Sequence, residues 1–290
     1  MAGAAYTIWG FLPLYIALLR HVPAFELVAW RVIFTLPFCL AIAAWRGQMG
    51  EIRAAFGNRK LLVLLLLSSA LIGFNWVVYI EAVNGGHVLA ASLGYYINPL
   101  LNVALGTIFL GEKLNPARWA AVALAIVGVA VLALGALETL WISLALALSF
   151  ALYGLVRKVA PVGSVPGLTI ESAVLLLPAI AIATWFAGSP AGSSFGDDLE
   201  NSLLLAGAGI ATAVPLLCFA LAARRLDLST LGFVQFLAPT IVFVLGLTIF
   251  SEPMRTVQLA SFVLIWVAIA LFSWDLLRRR RAPSAEQAPA

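Results

Sequence analysis

Of the 290 residues, 63% are hydrophobic and 10% are charged, against roughly 25% charged in soluble globular domains. So large an apolar share cannot be hidden beneath a wetted surface, so most of the exterior must face lipid and the soluble classes are excluded. The formal charge is +4, yet seventeen Lys and Arg spread along an apolar chain make no basic face for nucleic acid.

A bilayer core about 30 Å thick takes about 20 apolar residues of helix. Cutting the chain where Pro, Gly and charge interrupt such runs predicts ten spans, over 3–19, 25–45, 61–81, 87–110, 117–137, 139–156, 167–187, 202–223, 229–251 and 256–276. No basic residue precedes Arg20, so a cleavable signal lacks its charged start and the first run is expected to stay in the mature chain. A loop over 188–200 is rich in Gly, Ser and Asp, and residues 282–290 have the composition of a disordered tail. Cys39 and Cys218 sit in apolar runs and read as packing residues. His21 and His87 stand away from any Cys, Asp or Glu at ligand spacing, so no metal, cofactor or disulfide is expected.

Loop charges set the orientation, because Lys and Arg near helix ends are retained on the cytoplasmic side. With the N-terminus inside, Arg46, Arg53, Arg59, Lys60, Lys113, Arg118, Arg157, Lys158, Arg224, Arg225 and Arg278 to Arg281 are cytoplasmic, fourteen against Arg20 and Arg255 outside. Both termini are therefore expected in the cytoplasm of a bacterial cell, with the chain in its inner (plasma) membrane.

An internal repeat follows. Pro99, Leu105, Gly106 and Glu112 are matched by Pro239, Leu245, Gly246 and Glu252 at an offset of 140, and Leu36-Pro37 answers Leu177-Pro178. Trp9-Gly10 likewise resembles Tyr153-Gly154. Two five-helix halves, 1–137 and 138–281, are predicted. An odd number of helices per half inserts them with opposite topology, an architecture of secondary transporters with a site near the midplane.

Polar groups in hydrocarbon are costly and face the bundle interior. The fourth span carries Tyr95, Asn98 and Asn102 on one face. Asn98 is about 16 Å from the outer end at 1.5 Å per residue, and Pro99 after it removes one helix hydrogen bond. Substrate contact and interhelical hydrogen bonding both fit such asparagines. The ninth span repeats the pattern with Gln235 and Pro239, so Pro99 and Pro239 are expected to bend paired helices, while Trp9, Pro13, Ser149 and Tyr153 turn to the same centre.

Arg31 and Glu171 are ionisable groups inside spans. Each lies about 6 to 9 Å in from the start of its own span, but the two spans start on opposite sides, so the residues are predicted at different depths. Asn75, Glu81 and Glu26 are the expected neighbours of Arg31. Glu171 is left to Arg157 or Lys158, as a proton-coupling carboxyl or as a static ion pair.

The stretches Ile72-Gly73-Phe74-Asn75-Trp76, Ala82-Val83-Asn84, Ala91-Ser92-Leu93-Gly94-Tyr95-Tyr96-Ile97-Asn98-Pro99, Phe109-Leu110-Gly111-Glu112, Tyr153-Gly154-Leu155-Val156-Arg157-Lys158, Val214-Pro215-Leu216-Leu217-Cys218-Phe219 and Leu228-Ser229-Thr230-Leu231-Gly232-Phe233 resemble the EamA group of the drug/metabolite transporter superfamily. The resemblance covers both halves. It implies an all-α membrane protein of ten transmembrane helices in two inverted EamA repeats, with a cavity lined mainly by spans 1, 3, 4, 6, 8 and 9. Trp30 and Glu81 depart from it, standing where the resembling sequences usually have His and an aromatic residue.

The expectation is a secondary transporter for a small metabolite or drug-like molecule, working by alternating access, with protons as a candidate coupling ion. Tyr95, Asn98, Asn75 and Gln235 would contact cargo, with Trp9 and Tyr153 shaping the cavity and Glu171, Arg31 and Glu81 coupling or gating. An amino-acid or metabolite exporter of the broader group is the alternative. A membrane-embedded lipid-modifying enzyme is remote, because clustered acids, a metal set or an activated nucleophile are missing from the sequence.

Overall fold

Apolar residues run round every side of the long segments, which suits helices whose outer faces meet lipid and whose inner faces meet each other. The computed structural model describes residues 1–85, 87–134, 137–190, 192–249 and 256–281. Among these, twelve α-helices follow in order: α1 (Ala2–Leu18), α2 (Ala24–Trp45), α3 (Met49–Gly57), α4 (Arg59–Asn84), α5 (Val88–Phe109), α6 (Pro116–Ala133), α7 (Leu140–Val159), α8 (Ser164–Ala187), α9 (Leu199–Ala223), α10 (Leu228–Gln235), α11 (Leu237–Thr248) and α12 (Thr256–Arg281). A 3₁₀ turn at Leu137–Thr139 leads into α7, and the described residues contain no strand, only an isolated bridge between Phe195 and Asp198. Eight segments of the described residues are long and apolar enough to cross a bilayer, α10 and α11 counting together as one; α1 is a shorter apolar helix.

Each predicted span contains a helix, with two departures. The first is α3, which falls where a loop was expected. It buries Ile52 and Ala55, packs against α8, and its Glu51 carboxylate accepts the backbone N–H of Gly163 at the N-cap of α8. The second is a break in the ninth span. Pro239 has no N–H to give the carbonyl of Gln235 and its ring crowds that group, and the helix is interrupted at Phe236 between α10 and α11. Pro99 lies inside an unbroken α5, and Pro13, Pro37, Pro178 and Pro215 likewise lie inside α1, α2, α8 and α9. Glu252, Arg255 and the 282–290 tail lie outside the described residues.

The helices pack α5 on α7 and α10, α6 on α12, α2 on α8 and α9, α4 on α7 and α8, and α1 on α9 and α11. Water offers no hydrophobic push between helices in lipid, so close backbone approach at small residues does much of the holding. A Cβ on Gly209 would stand 2.5 Å from Phe34 Cβ and 2.7 Å from the Phe34 carbonyl carbon, and one on Gly232 would stand 2.6 Å from the Pro99 carbonyl oxygen. One core gathers the starts of α1, α4, α8 and α10 and the ends of α2, α7 and α9, around Tyr6, Leu65, Tyr153, Leu168, Phe219 and Leu231. This core seals the end of the bundle that carries the N-terminus. A second core joins α5, α6, α10 and α12, where Phe233 stacks on Phe272 with centroids 3.9 Å apart.

Candidate functional site

A buried polar seam crosses the middle of the bundle. Asn98 and Asn102 stand one turn apart on α5, each 1% exposed. Asn98 Nδ2 donates to the Ala147 carbonyl of α7 at 2.8 Å. Asn102 Nδ2 donates to Asn98 Oδ1 at 3.1 Å and to Gln235 Oε1 of α10 at 2.9 Å. On α4, Asn75 Nδ2 donates to the Leu146 carbonyl at 2.8 Å and to Ser149 Oγ at 2.9 Å. The expected set Asn75, Asn98 and Gln235 thus lies in one seam through α4, α7, α5 and α10. Asn102 Oδ1 is buried there with no hydrogen-bond partner from the protein, an acceptor left unused by the chain.

Nearer the sealed end, Glu171 of α8 is 1% exposed. Its carboxylate accepts from Ser68 Oγ of α4 at 2.5 Å and from the Tyr153 hydroxyl of α7 at 3.4 Å, and lies 3.5 Å from Nη1 of Arg157. Arg157 is the fully buried partner. Lys158 turns away, its Nζ donating to the carbonyls of Ala223 and Leu226 at the end of α9, where the helix dipole favours a cation. Ser68 was not anticipated, since a lone serine in an apolar run gives no signal. Trp9 and Tyr153 belong to one aromatic cluster with Tyr6, Phe150 and Phe219, centroids 5.4 to 6.4 Å apart. In this conformation Trp9 and Tyr153 pack that cluster, at the closed end.

Arg31 lies toward the other end of the bundle. Its Nε donates to Thr212 Oγ1 of α9 at 2.8 Å and its Cζ sits 5.7 Å from the Trp76 ring centroid. It therefore sits apart from Glu171, and none of its three expected neighbours pairs with it. Asn75 is committed to α7, and Glu81 is exposed. Glu26, 0% exposed, accepts from Trp30 Nε1, the Ser193 and Ser194 hydroxyls and the Ser194 backbone N–H. Those bonds hold Ser193 and Ser194 against the start of α2, with Phe195 stacked on Trp30 at 4.2 Å. Tyr95 is 47% exposed and meets Tyr79 edge-on at 6.1 Å. It shares a face with Asn98 and Asn102 but stands nearer the start of α5.

A small cavity of about 10 Å³ is lined by Trp76, Tyr153, Glu171 and Thr212 among others, room for about one water. At the sealed end Glu112, just after α5, accepts the Leu228 N–H at 2.6 Å, the Ser229 N–H at 2.9 Å and the Ser229 hydroxyl at 2.7 Å. One carboxylate thereby caps α10 and ties it to the end of α5. Nearby, Arg118 Nε meets Asp275 at 2.8 Å, binding α6 to α12. Among the described residues no three His, Cys, Asp or Glu side chains converge as a metal set.

Long apolar helices, a buried polar seam between them and charges buried at two depths define a multi-pass membrane protein, its polar groups spent inside the bundle rather than on a surface. Residues 1–134 match the EamA-like transporter family. An uncharacterized transporter of Pseudomonas aeruginosa is 44% identical over 96% of this chain and 94% of its own. Protein RarD of Escherichia coli K12 is 43% identical over 98% and 96%. The chain belongs to the EamA-like transporter family and is RarD-like within it. One solved crystal structure of a protein shares its fold with a TM-score of 0.73 at 21% identity, covering 97% of this chain and 98% of that one.

Proposed function

We propose that the chain is a secondary carrier that moves a small metabolite or drug-like molecule across the bacterial inner membrane by alternating access, two inverted five-helix halves (1–137 and 138–281) rocking against each other. The observation that carries this reading is the Asn98, Asn102 and Gln235 seam, which joins α5 of one half to α10 of the other at mid-depth. The unspent Asn102 oxygen in it offers a cargo donor a partner when the seam opens. The packing supports the repeat: exchanging the halves turns α5 on α7 into α1 on α11, and α4 on α7 into α1 on α9. A bundle sealed at its N-terminal end, with Tyr95 exposed toward the other, is a carrier open to the outside, both termini being cytoplasmic by the fourteen-to-two loop charge.

Tyr95 then meets cargo first, Asn75, Asn98 and Gln235 bind it deeper, and the interrupted helix at Pro239 gives the moving element its joint. Asn98→Ala and Gln235→Ala are expected to abolish uptake in proteoliposomes at unchanged expression, measured with labelled amino acids and chloramphenicol. Unchanged rates in both variants would remove the seam from the site. Glu171, the one carboxylate among the described buried residues of the inner half-span that faces both an arginine and the small cavity, is the proton-coupling candidate. Uptake indifferent to an imposed pH gradient would leave it a structural ion pair.

A further inference from the structure

Arg31 carries its charge about 10 Å inside α2, seven residues from the helix start at 1.5 Å per residue. A cation at that depth needs a counter-charge or water. The two ion pairs among the described residues are Arg118 with Asp275 and Arg157 with Glu171, and Arg31 belongs to neither. Its one hydrogen bond within the described residues runs from Nε to Thr212 Oγ1. That bond fixes the plane of the guanidinium and leaves both Nη groups unspent. A fixed guanidinium with its two terminal N–H donors free is a fork that fits a carboxylate bidentately.

The surroundings are aromatic. Trp76 stands under the guanidinium at 5.7 Å, and the Tyr79 and Tyr95 hydroxyls lie within electrostatic reach of it. Arg31 belongs to α2 and Tyr95 to α5, two helices that share no extended packing. Tyr95 keeps 47% of its surface. We propose that Arg31 anchors a carboxylate of the cargo, with Trp76, Tyr79 and Tyr95 receiving its apolar group, so that the transported molecules are small organic monocarboxylates, amino acids included. This rests on the carrier reading and names its substrate class.

The full-length protein in detergent is titrated by calorimetry with phenylalanine, leucine and 3-phenylpropionate, each beside its primary amide, and with chloramphenicol as a carboxylate-free compound. At least one carboxylate is expected to bind saturably and at least tenfold more tightly than its amide. Arg31→Gln is expected to bring that carboxylate down to the amide level, and Arg31→Lys, which keeps charge without the fork, to fall between. Thr212→Val, which only frees the guanidinium to turn, is expected to weaken the carboxylate several-fold and leave the amide unchanged, and serves where an Arg31 variant loses its folded elution peak. Equal affinity for acid and amide, wild-type affinity in Arg31→Gln, or no saturable binding by any of the acids overturns the proposal. The same compounds are then followed in proteoliposomes. An acid that binds through Arg31 but is not moved defeats the carrier reading alone, whereas amides moved as fast as acids defeat the anchor alone.

Discussion

Glu171 and Arg157 face each other at 3.5 Å with 1% exposure each, so neither charge has water to fall back on. Removing one partner of such a pair leaves the other stranded and costs about 3–5 kcal/mol, while replacing both by apolar groups costs far less. Glu171→Gln is therefore expected to lower the melting temperature in detergent more than the double variant Glu171→Leu with Arg157→Met. A single variant as stable as wild type would mean that the guanidinium is solvated in the folded protein. The same scale shows why loop charge says more than orientation. Lys158 and Arg224 contribute to the loop charge that sets topology, yet Lys158 also closes the end of α9 and Arg224 Nη1 donates to the Val162 carbonyl at 2.6 Å. Partners such as Thr212 for Arg31 and Ser68 for Glu171 could not be read from the sequence, because Ser and Thr are scattered through the chain and the bonds join residues 181 and 103 positions apart.

Helices were the legible part, because an apolar run near 20 residues long has few other uses. What escaped was α3, nine residues with a Gly at each end region, stabilised by burial of Ile52 and Ala55 and by the tie from Glu51 to Gly163 rather than by any run of its own. Paired prolines were legible as positions but not as outcomes. Pro239 interrupts its helix and Pro99 does not; α5 keeps its course between α7 and α10, with Asn98 anchored on α7. The stripe Tyr95, Asn98, Asn102 was readable as one face, but not that its inner two members are sealed while Tyr95 is exposed, since depth along the face is set by how neighbouring helices diverge. Close helix contact at Gly232 makes an element-scale test. Gly232→Ala places its Cβ 2.6 Å from a backbone oxygen of Pro99, and overpacking of this kind costs about 1–3 kcal/mol. A drop of several degrees in melting temperature is expected. Gly3→Ala, with nothing within 4 Å, is expected to change it little, and equal effects would show that α5 and α10 can part freely.

At the scale of the molecule, polar and aromatic ties gather at the end that carries the N-terminus, while Tyr95 is exposed toward the other. The ties join the two proposed halves: Glu112 to Leu228 and Ser229, Arg118 to Asp275, and the aromatic cluster of Trp9, Tyr153 and Phe219. Alternating access requires these contacts to open once per cycle, which a static channel or an enzyme would not. The direct measurement is uptake by proteoliposomes carrying Glu112→Cys with Ser229→Cys, in a chain whose Cys39 and Cys218 are replaced by Ala. A short bifunctional methanethiosulfonate then joins the two positions. Uptake is expected to fall to background when the sealed end is cross-linked and to return when reductant cleaves the link, with each single-cysteine variant unaffected by the reagent. Transport at the uncross-linked rate with the link in place would contradict it.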